Sequence, residues 1–407
     1  MKAFSIFSSL SLTLLLSACG GGSSTQTQPT SSSSNSSTSS APTSQSAGLS
    51  AKASLGKKLF FDVSLSESGQ QSCATCHVAA KAHANDDNAD VPLGGPKMAT
   101  QGFRNTPSLN YLQYNPSFYF DKEGTPTGGF ARDGRANNFA SQAEAPFMKP
   151  HEMANGTAKK LAEKLARAAY VAEFTDTFGA DIFNDPALAF RAATLAVAAY
   201  EQEDPEFHPF NSKFDYFLQG KAELSEQELR GYALFNNPQK GNCAGCHPST
   251  RTATTPPLFT DFTYDNLGVP RNPHIAATAN PAYFDLGLCG PDRTDLTDRN
   301  DLCGAFKVPT LRNVAITAPY FHNGVFSSLR DVVRFYVRRD TNPEEWYPSG
   351  PNGVEKFNDL PPQYRKNVNT SEAPYNRHLG DQPALDDDEI DAVVAFLNTL
   401  TDGYQPL

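Results

Sequence analysis

The chain contains the stretch Cys73-Ala74-Thr75-Cys76-His77 and repeats its pattern as Cys243-Ala244-Gly245-Cys246-His247. Each stretch is a C-x-x-C-H motif, the attachment signature of a c-type haem. The spacing has a chemical reason, because the two thiols add to the vinyl groups on one porphyrin edge and the adjacent histidine ligates the iron. Two such motifs predict two covalently attached haems, with His77 and His247 as proximal iron ligands.

The same cysteine pattern has two other uses, and the sequence disfavours both. A structural zinc site would need C-x-x-C knuckles that come together, and it would not select a histidine after each pair. A thioredoxin-like redox pair would lie in a β-α-β pattern, which the sequence lacks. Of the remaining cysteines, Cys289 and Cys303 flank a polar loop, and in an oxidising compartment we expect them to form a disulfide.

The first residues are typical of an exported lipoprotein. Lys2 precedes an apolar stretch too short to span a bilayer, which predicts a signal peptide over residues 1–18. The sequence before Cys19 resembles a lipoprotein processing site, so we expect acyl chains on Cys19 to anchor the protein to a membrane; ordinary signal cleavage nearby is the alternative. Residues 19–50 are rich in Ser and Thr without apolar periodicity, which predicts a flexible tether. The expected location is the periplasm or cell envelope.

Composition limits the partners and the fold. The formal net charge is −10 and no basic stripe is present, which argues against a nucleic-acid partner. The chain after the tether is long enough for two domains of ordinary size. Helical periodicity dominates, strand signals are few, and 30 prolines and 28 glycines indicate many loops. We therefore predict a mainly α fold with two cytochrome c-like domains, over residues 51–205 and 206–407, whose long loops wrap the haems.

Local signals place several helices. Similar segments precede the two haem motifs, Leu55–Phe61 and Leu229–Phe235, and we expect both to be helical. Two further segments have helical periodicity, residues 158–178 and 186–202, the second starting at an Asp-Pro pair. An apolar stripe from Ile390 to Leu400 predicts a helix that closes the second domain. Capping boxes are expected at the helix before the second haem motif, from Ser225 and Glu228, and at the closing helix, from Asp386 and Glu389.

The motifs outside the haem stretches resemble those of the bacterial di-haem cytochrome c peroxidase family, which includes the MauG-like enzymes. The resemblance covers roughly residues 54–401. The motifs that carry it are Arg104-Asn105-Thr106-Pro107-Ser108-Leu109, Asp133-Gly134-Arg135-Ala136, Pro150-His151-Glu152-Met153, Phe306-Lys307-Val308-Pro309-Thr310-Leu311-Arg312-Asn313 and Pro319-Tyr320-Phe321-His322-Asn323-Gly324.

The resemblance implies a division of labour between the haems. The N-terminal haem would be the peroxide site and the C-terminal haem would handle electrons. The distal glutamate of the family falls on Glu152 and its distal glutamine on Gln142. A base at Glu152 would take a proton from the near peroxide oxygen and return it to the leaving oxygen, while Gln142 orients the substrate. Without the motif around it, Glu152 would be interpreted as a helix-capping or exposed acid.

The resemblance also implies one calcium ion between the haems. Its ligands would be the Asn105 side chain and the backbone carbonyls of Thr317 and Pro319, with waters completing a shell of hard oxygen donors. The alternative for Asn105 is that it opens a turn.

The axial ligand of the second haem follows from composition together with the resemblance. The four methionines lie at or before Met153, so none is available in the C-terminal half. At the position where Met-type peroxidases carry the ligand, this chain has Tyr336, as MauG-like members do. An anionic Tyr ligand lowers the reduction potential of the iron. The alternative is a buried structural tyrosine on a helix over residues 329–337.

Two departures from the family pattern stand out. The family has a Trp just before Asp-Gly-Arg, between the haems, as an electron relay, and here that position is Arg132. The distal histidine of Met-type peroxidases has no clear match either. His83 follows His77 closely, and we expect it at the haem edge or surface, leaving the first haem open.

Three functions follow from these observations. The first is reduction of hydrogen peroxide with electrons from a small redox protein, a cytochrome c or a cupredoxin. The second is peroxide-dependent oxidation of an aromatic residue on a partner protein; Tyr336 favours it and Arg132 argues against it. The third is a di-haem electron carrier without enzymatic activity, in which Gln142 and Glu152 would have no purpose.

Overall fold

The computed structural model describes residues 48–86 and 89–406. The predicted signal peptide, Cys19 and most of the predicted tether lie outside these residues. Within them the fold is mainly α. The helices are α1 (Ala51–Phe61), α2 (Cys73–Cys76), α3 (Phe139–Met148), α4 (Ala158–Leu165), α5 (Val171–Phe178), α6 (Pro186–Glu203), α7 (Lys213–Leu218), α8 (Glu226–Asn236), α9 (Leu329–Arg338) and α10 (Asp387–Asn398).

The strands are short and form two-stranded antiparallel ribbons in the loops. They are β1 (Leu93–Gly94) with β2 (Thr100–Gln101), β3 (Tyr119–Phe120) with β4 (Pro126–Thr127), β5 (Tyr264–Asp265) with β6 (Phe306–Lys307), and β7 (Ser349–Gly350) with β8 (Gly353–Val354). In the third ribbon Tyr264 pairs with Lys307 and Asp265 with Phe306. This ribbon brings the Phe306–Asn313 motif beside the loop that follows the second haem motif.

The helix starts agree with the capping signals. The Asp185 side chain accepts from the Ala187 amide with Pro186 at the first helical position, and capping boxes are present at Ser225 and at Asp386. The helix predicted over residues 158–178 is wrong in one respect, because it is interrupted between α4 and α5. The interruption lets the Tyr170 ring enter the core, where its hydroxyl donates to Asp62 at 2.6 Å.

Two helix pairs have the same construction. Helix α1 packs on α6, and α8 packs on α10. A methyl group added at Gly56 would lie 1.9 Å from the Ala196 carbonyl oxygen, and one added at Gly231 would lie 1.9 Å from the Ala392 carbonyl oxygen. A glycine in each leading helix therefore allows the backbones to approach closely where the helices cross.

Each helix pair lies in its own hydrophobic cluster. The first cluster includes Leu59, Phe60, Phe147 and Tyr200 and draws on α1, α3 and α6. The second is built around Phe214, Phe235, Phe259 and Phe396, with α8, α9 and α10. Cys289 and Cys303 form a disulfide, with their Cα atoms 5.0 Å apart. No helix in the described part of the chain has the length and apolarity needed to cross a membrane.

Candidate active site: two cavities at the C-x-x-C-H motifs

The first cavity, of about 300 Å³, opens beside α2. Cys73, Cys76 and His77 line it, and both thiols are free. The His77 Nδ1 lies 2.8 Å from the His83 carbonyl oxygen, to which it donates. This hydrogen bond fixes the tautomer and leaves the Nε2 lone pair available to a metal. Burial lowers the pKa of His77 to about 4, so the ring is neutral at neutral pH.

The second cavity, of about 700 Å³, repeats this arrangement. Cys243, Cys246 and His247 line it, and again both thiols are free. The His247 Nδ1 donates to the Phe259 carbonyl at 2.8 Å, and burial lowers the pKa of this ring as well. Burial raises the pKa of each of the two thiols to about 12.

The residues present fit a c-type haem at each motif. Each cavity combines two free thiols, a neutral histidine with one nitrogen already committed to a backbone carbonyl, and walls of mixed apolar and polar side chains. The tautomer matters, because a ligating histidine normally donates its other ring N–H to a carbonyl or carboxylate. The geometry thus matches the chemistry that the sequence motif predicts.

Gln142 and Glu152 both line the first cavity. Gln142 lies on α3, and Glu152 lies in the turn after it, where its amide donates to the Lys149 carbonyl at 3.0 Å. The next residue, Met153, is buried in the first cluster and anchors this turn. Burial raises the pKa of the Glu152 carboxyl, against the opposing effect of the nearby Lys149 charge. A carboxyl shifted upward in this way is suited to exchange protons with a bound ligand.

Sequence reasoning left His151 without a role, and the structure places it in the first cavity. Its Nε2 lies 3.6 Å from the Glu152 Oε1, and the ring is mostly buried against Phe103. Burial lowers the pKa of His151, chiefly by desolvation of the cation. The spacing along the chain could have suggested this neighbour, since His151 directly precedes the predicted base.

Glu201 is a second acid of the first cavity that the sequence did not indicate. Only 4% of its surface is exposed and its Oε2 has no hydrogen-bond partner among the described residues. Burial raises the pKa of this carboxyl to about 8. The only signal in the sequence was an acidic residue near the end of the Ala- and Val-rich run that forms α6.

Tyr336 lies on α9 and lines the second cavity with His247. Its ring stacks on Phe321, with centroids 5.9 Å apart, and its hydroxyl has no hydrogen-bond partner among the described residues. Burial raises the pKa of Tyr336. A second tyrosine, Tyr375, lines the same cavity with its ring centroid 5.9 Å from that of Tyr336; no motif pointed to it.

The predicted calcium ligands also come together. Asn105, Thr317 and Pro319 all line the first cavity, and the Asn105 Nδ2 donates to the Pro319 carbonyl at 2.5 Å. The Asn105 Oδ1 is buried without a hydrogen-bond partner in the described chain. No group of three or more His, Cys, Asp or Glu side chains within residues 48–86 and 89–406 is arranged to hold a metal ion. A cation here would therefore depend on neutral oxygens.

The structure also places His83, His322 and Arg132, which the sequence analysis or the family motifs single out. The expectation of His83 at the haem edge or surface is wrong: it is 1% exposed and stacks on Phe207 behind the proximal ligand, which its carbonyl orients. His322 lines the second cavity and stacks on Phe306, with its Nε2 3.2 Å from Asp359. Arg132 lines both cavities.

A helical fold with one C-x-x-C-H cavity in each half, one of which also holds an acid and an amide, defines a di-haem c-type oxidoreductase. The family described as "Di-haem cytochrome c peroxidase" matches residues 50–223. The chain is 37% identical over 372 residues to the methylamine utilization protein MauG of Paracoccus denitrificans, covering 88% of this chain and 90% of that protein. The chain belongs to the di-haem cytochrome c peroxidase family.

Two further relatives extend the comparison. The chain is 32% identical to the cytochrome c551 peroxidase of Nitrosomonas europaea, over 72% of this chain and 76% of that protein. The crystal structure of the diheme peroxidase BthA from Burkholderia thailandensis superposes with a TM-score of 0.80 at 40% identity, covering 86% of each chain. The family thus contains proteins named as peroxidases and proteins named for methylamine utilization, and the chain is similar to both.

Proposed function

We propose that the protein reduces hydrogen peroxide to water at the first cavity, with electrons that enter from a small redox protein and pass the second haem. The observation that carries this proposal is the presence of Gln142 and Glu152 in the same cavity as His77. A di-haem electron carrier has no need of an acid and an amide beside an open metal position. A haem iron, when bound, supplies the coordination site and the electron transfer for cleaving the O–O bond.

The protein side chains supply the proton chemistry. Glu152 takes a proton from the near oxygen of the peroxide and returns it to the leaving oxygen, so that the leaving group departs as water. Its raised pKa helps the second step, because a carboxyl that holds its proton more tightly is more readily present as the acid. His151, 3.6 Å from Glu152, can resupply a proton from the cavity edge. Gln142 orients the peroxide by hydrogen bonds.

Peroxide-dependent oxidation of an aromatic residue on a partner protein is the second candidate. Tyr336 in the second cavity and the 37% identity to the MauG relative favour it. Arg132, at the position of the family's relay Trp, favours simple peroxide reduction instead, because a guanidinium is a poor carrier of electrons compared with an indole. In either case we assign Tyr336 as the axial ligand of the second haem.

The two helix pairs and the two hydrophobic clusters support a division into two cytochrome c-like domains, 51–205 around the peroxide site and 206–407 around the electron-transfer haem. We further propose that the protein acts in the periplasm or cell envelope, held at a membrane by lipid on Cys19. The electron donor would be a cytochrome c or a cupredoxin.

The calcium ion belongs to the same proposal. The Asn105 amide and the Pro319 carbonyl are already adjacent, and rotation of the amide would turn the unpartnered Oδ1 toward a cation shared with the carbonyls of Thr317 and Pro319. Removing calcium with a chelator should change the haem spectra, and added calcium should restore them. Unchanged spectra in metal-depleted protein, verified by elemental analysis, would contradict this assignment.

The deciding experiment mixes the oxidised two-haem protein with peroxide in a stopped-flow spectrometer. Wild type should react and then turn over when a reduced cytochrome c or cupredoxin is added. Glu152→Gln should slow O–O cleavage by about 10²-fold or more, because it keeps the size and removes the base. Glu163→Gln, an exposed acid on α4, serves as the matched control and should behave as wild type. No reaction of wild type with peroxide would leave the electron carrier as the function.

A further inference from the structure

Arg132 and Lys307 are two cations that face both haem cavities. Both side chains line the first cavity and both line the second. Their backbones are adjacent, because the Lys307 amide donates to the Arg132 carbonyl at 2.9 Å. Desolvation lowers the pKa of each, that of Lys307 to about 7 and that of Arg132 to about 10. Both residues are half-buried.

Neither side chain has a carboxylate partner in the part of the chain that the structure describes. The Arg132 Nε donates to the Asn105 carbonyl at 2.8 Å, and the Lys307 Nζ donates to the Gly129 carbonyl at 2.6 Å and the Asn115 Oδ1 at 3.1 Å. Within residues 48–86 and 89–406, no acid oxygen lies within the 4.0 Å of an ion pair from either side chain, although the surrounding network is dense with such pairs. Carbonyl and amide oxygens satisfy hydrogen bonds but do not neutralise the charge.

The acids nearby are already committed to other cations. The Arg104 guanidinium binds Asp285 with two hydrogen bonds of 2.6 and 2.7 Å and donates to Asp133 at 2.6 Å. Arg135 also contacts Asp133, at 2.9 Å. Asp292 accepts from Lys149 and lies 3.5 Å from Arg135. This network balances three cations against three carboxylates, and those six residues are Arg104, Arg135, Lys149, Asp133, Asp285 and Asp292.

Arg132 and Lys307 are thus two basic groups without a carboxylate partner in a desolvated place. Burying unpaired charges costs several kcal/mol per ion, so such groups are normally paired with an anion. A guanidinium is suited to bind a carboxylate with two parallel hydrogen bonds, and an ammonium serves as a point charge beside it. The anions expected in these two cavities are the propionate carboxylates of the haems.

We propose that Arg132 and Lys307 form a carboxylate-binding site between the cavities that takes propionate groups from both haems. This proposal rests on the presence of the two haems proposed above. It gives a role to the residue at the family's relay position: Arg132 couples the two haems through charge rather than through an aromatic ring. A cation on the propionates stabilises the reduced iron, so both haems feel its removal.

The test is spectroelectrochemical titration of both haems in full-length wild type, Arg132→Met, Arg132→Lys and Lys307→Met. Arg132→Met should lower the reduction potential of both haems. We expect the equilibrium constant for reduction of each haem to fall about tenfold, which corresponds to 59 mV for a one-electron couple. Arg132→Lys keeps a cation and should recover most of the loss. Lys307→Met should shift both potentials in the same direction. Arg167→Met, an exposed arginine after α4, is the control and should leave both potentials unchanged.

A second measurement separates propionate binding from a structural role. Resonance Raman bands of the propionate bending modes should move in Arg132→Met and return toward wild type in Arg132→Lys. Unchanged potentials in both Arg132→Met and Lys307→Met would overturn the proposal, and so would a shift confined to one haem. The reduction potentials and the Raman bands can be measured on any protein that has bound its haems, whether or not it turns over peroxide. The number of bound haems is determined by the pyridine haemochrome assay. Wild-type protein that lacks peroxide turnover but shows these shifts would contradict the proposed function and leave this site standing.

Discussion

Replacing Gly231 with Ala tests how the second haem half is held together. A Cβ at this position would lie 1.9 Å from the Ala392 carbonyl oxygen and 2.5 Å from its carbonyl carbon. Non-bonded heavy atoms prefer roughly 3.5–4.0 Å, so α8 and α10 would have to separate by about 1.5–2 Å. Overpacking of this kind costs typically ~1–3 kcal/mol, and a backbone neighbour places the cost at the upper end. Alanine regains about 1 kcal/mol of helix propensity, leaving a net loss of about 2 kcal/mol.

The assay is denaturant unfolding followed by circular dichroism, together with the electron paramagnetic resonance signals of the two haems. Gly231→Ala should lower stability and alter the second haem signal, because Val393 and Leu397 of α10 line its cavity. Gly56→Ala should also lower stability but alter the first haem signal instead, since its Cβ would meet the Ala196 carbonyl oxygen at the same 1.9 Å. Ala233→Gly, at an exposed position of α8, controls for propensity and should cost about 1 kcal/mol without a haem effect. A Gly231→Ala protein as stable as wild type would refute the close crossing, and equal perturbation of both haems by either variant would refute two separate haem domains.

Three further predictions concern the axial ligand, a buried acid and the anchor. Tyr336→Phe keeps the ring and loses only the oxygen, so it should open the sixth position of the second haem and raise its reduction potential; a resting spectrum and potential that do not change would show that Tyr336 is not the ligand. Glu201 holds its proton in the folded state up to a pKa of about 8, against an ordinary value of 4.5, so its contribution to stability is lost as pH rises between these values. At pH 7 the stability lost in this way amounts to ~3 kcal/mol. Glu201→Gln should therefore flatten the dependence of unfolding free energy on pH between pH 5 and 8, whereas the exposed Glu163→Gln should keep it. The same pH dependence in both variants would contradict the raised pKa of Glu201. Cys19→Ala should move the protein from the membrane fraction to the soluble fraction of cells, and unchanged fractionation would remove the lipid anchor.

Much of the fold was predictable because its signals are local. The caps at Ser225 and Asp386 each depend on a side chain three residues from its partner, and both are present. The interruption between α4 and α5 was not predictable from local periodicity. It accompanies a contact that is distant in sequence, because the Tyr170 hydroxyl donates to Asp62, 108 positions away. Periodicity alone continued the helix through that turn.

The site shows the same limit. The haem motifs were evident because attachment and ligation are encoded within five consecutive residues. Glu201 and Tyr375 were missed because their significance comes from burial in a cavity whose walls are distant in sequence. His83 was misplaced for a related reason: a histidine in a short loop is usually exposed, and only the packing of Phe207 against its ring buries it.

The two cavities share a scaffold and differ in the side chains that line them beside the haem motif. In both, a proximal histidine donates its Nδ1–H to a backbone carbonyl at 2.8 Å, and a glycine lets the leading helix cross its partner closely. The difference lies in the other side chains that line each cavity. The first cavity contains Gln142 and Glu152, which in the proposed function orient the peroxide and exchange protons with it. The second cavity contains Tyr336, whose hydroxyl has no other partner in the described chain. Burial raises the pKa of this hydroxyl, and a metal ion bound to the oxygen would oppose that effect by favouring deprotonation. With Tyr336 as the proposed axial ligand, the first metal position would stay open to peroxide and the second would be closed by the protein. This asymmetry fits the proposed peroxidase, which would take up electrons at one haem and use them at the other.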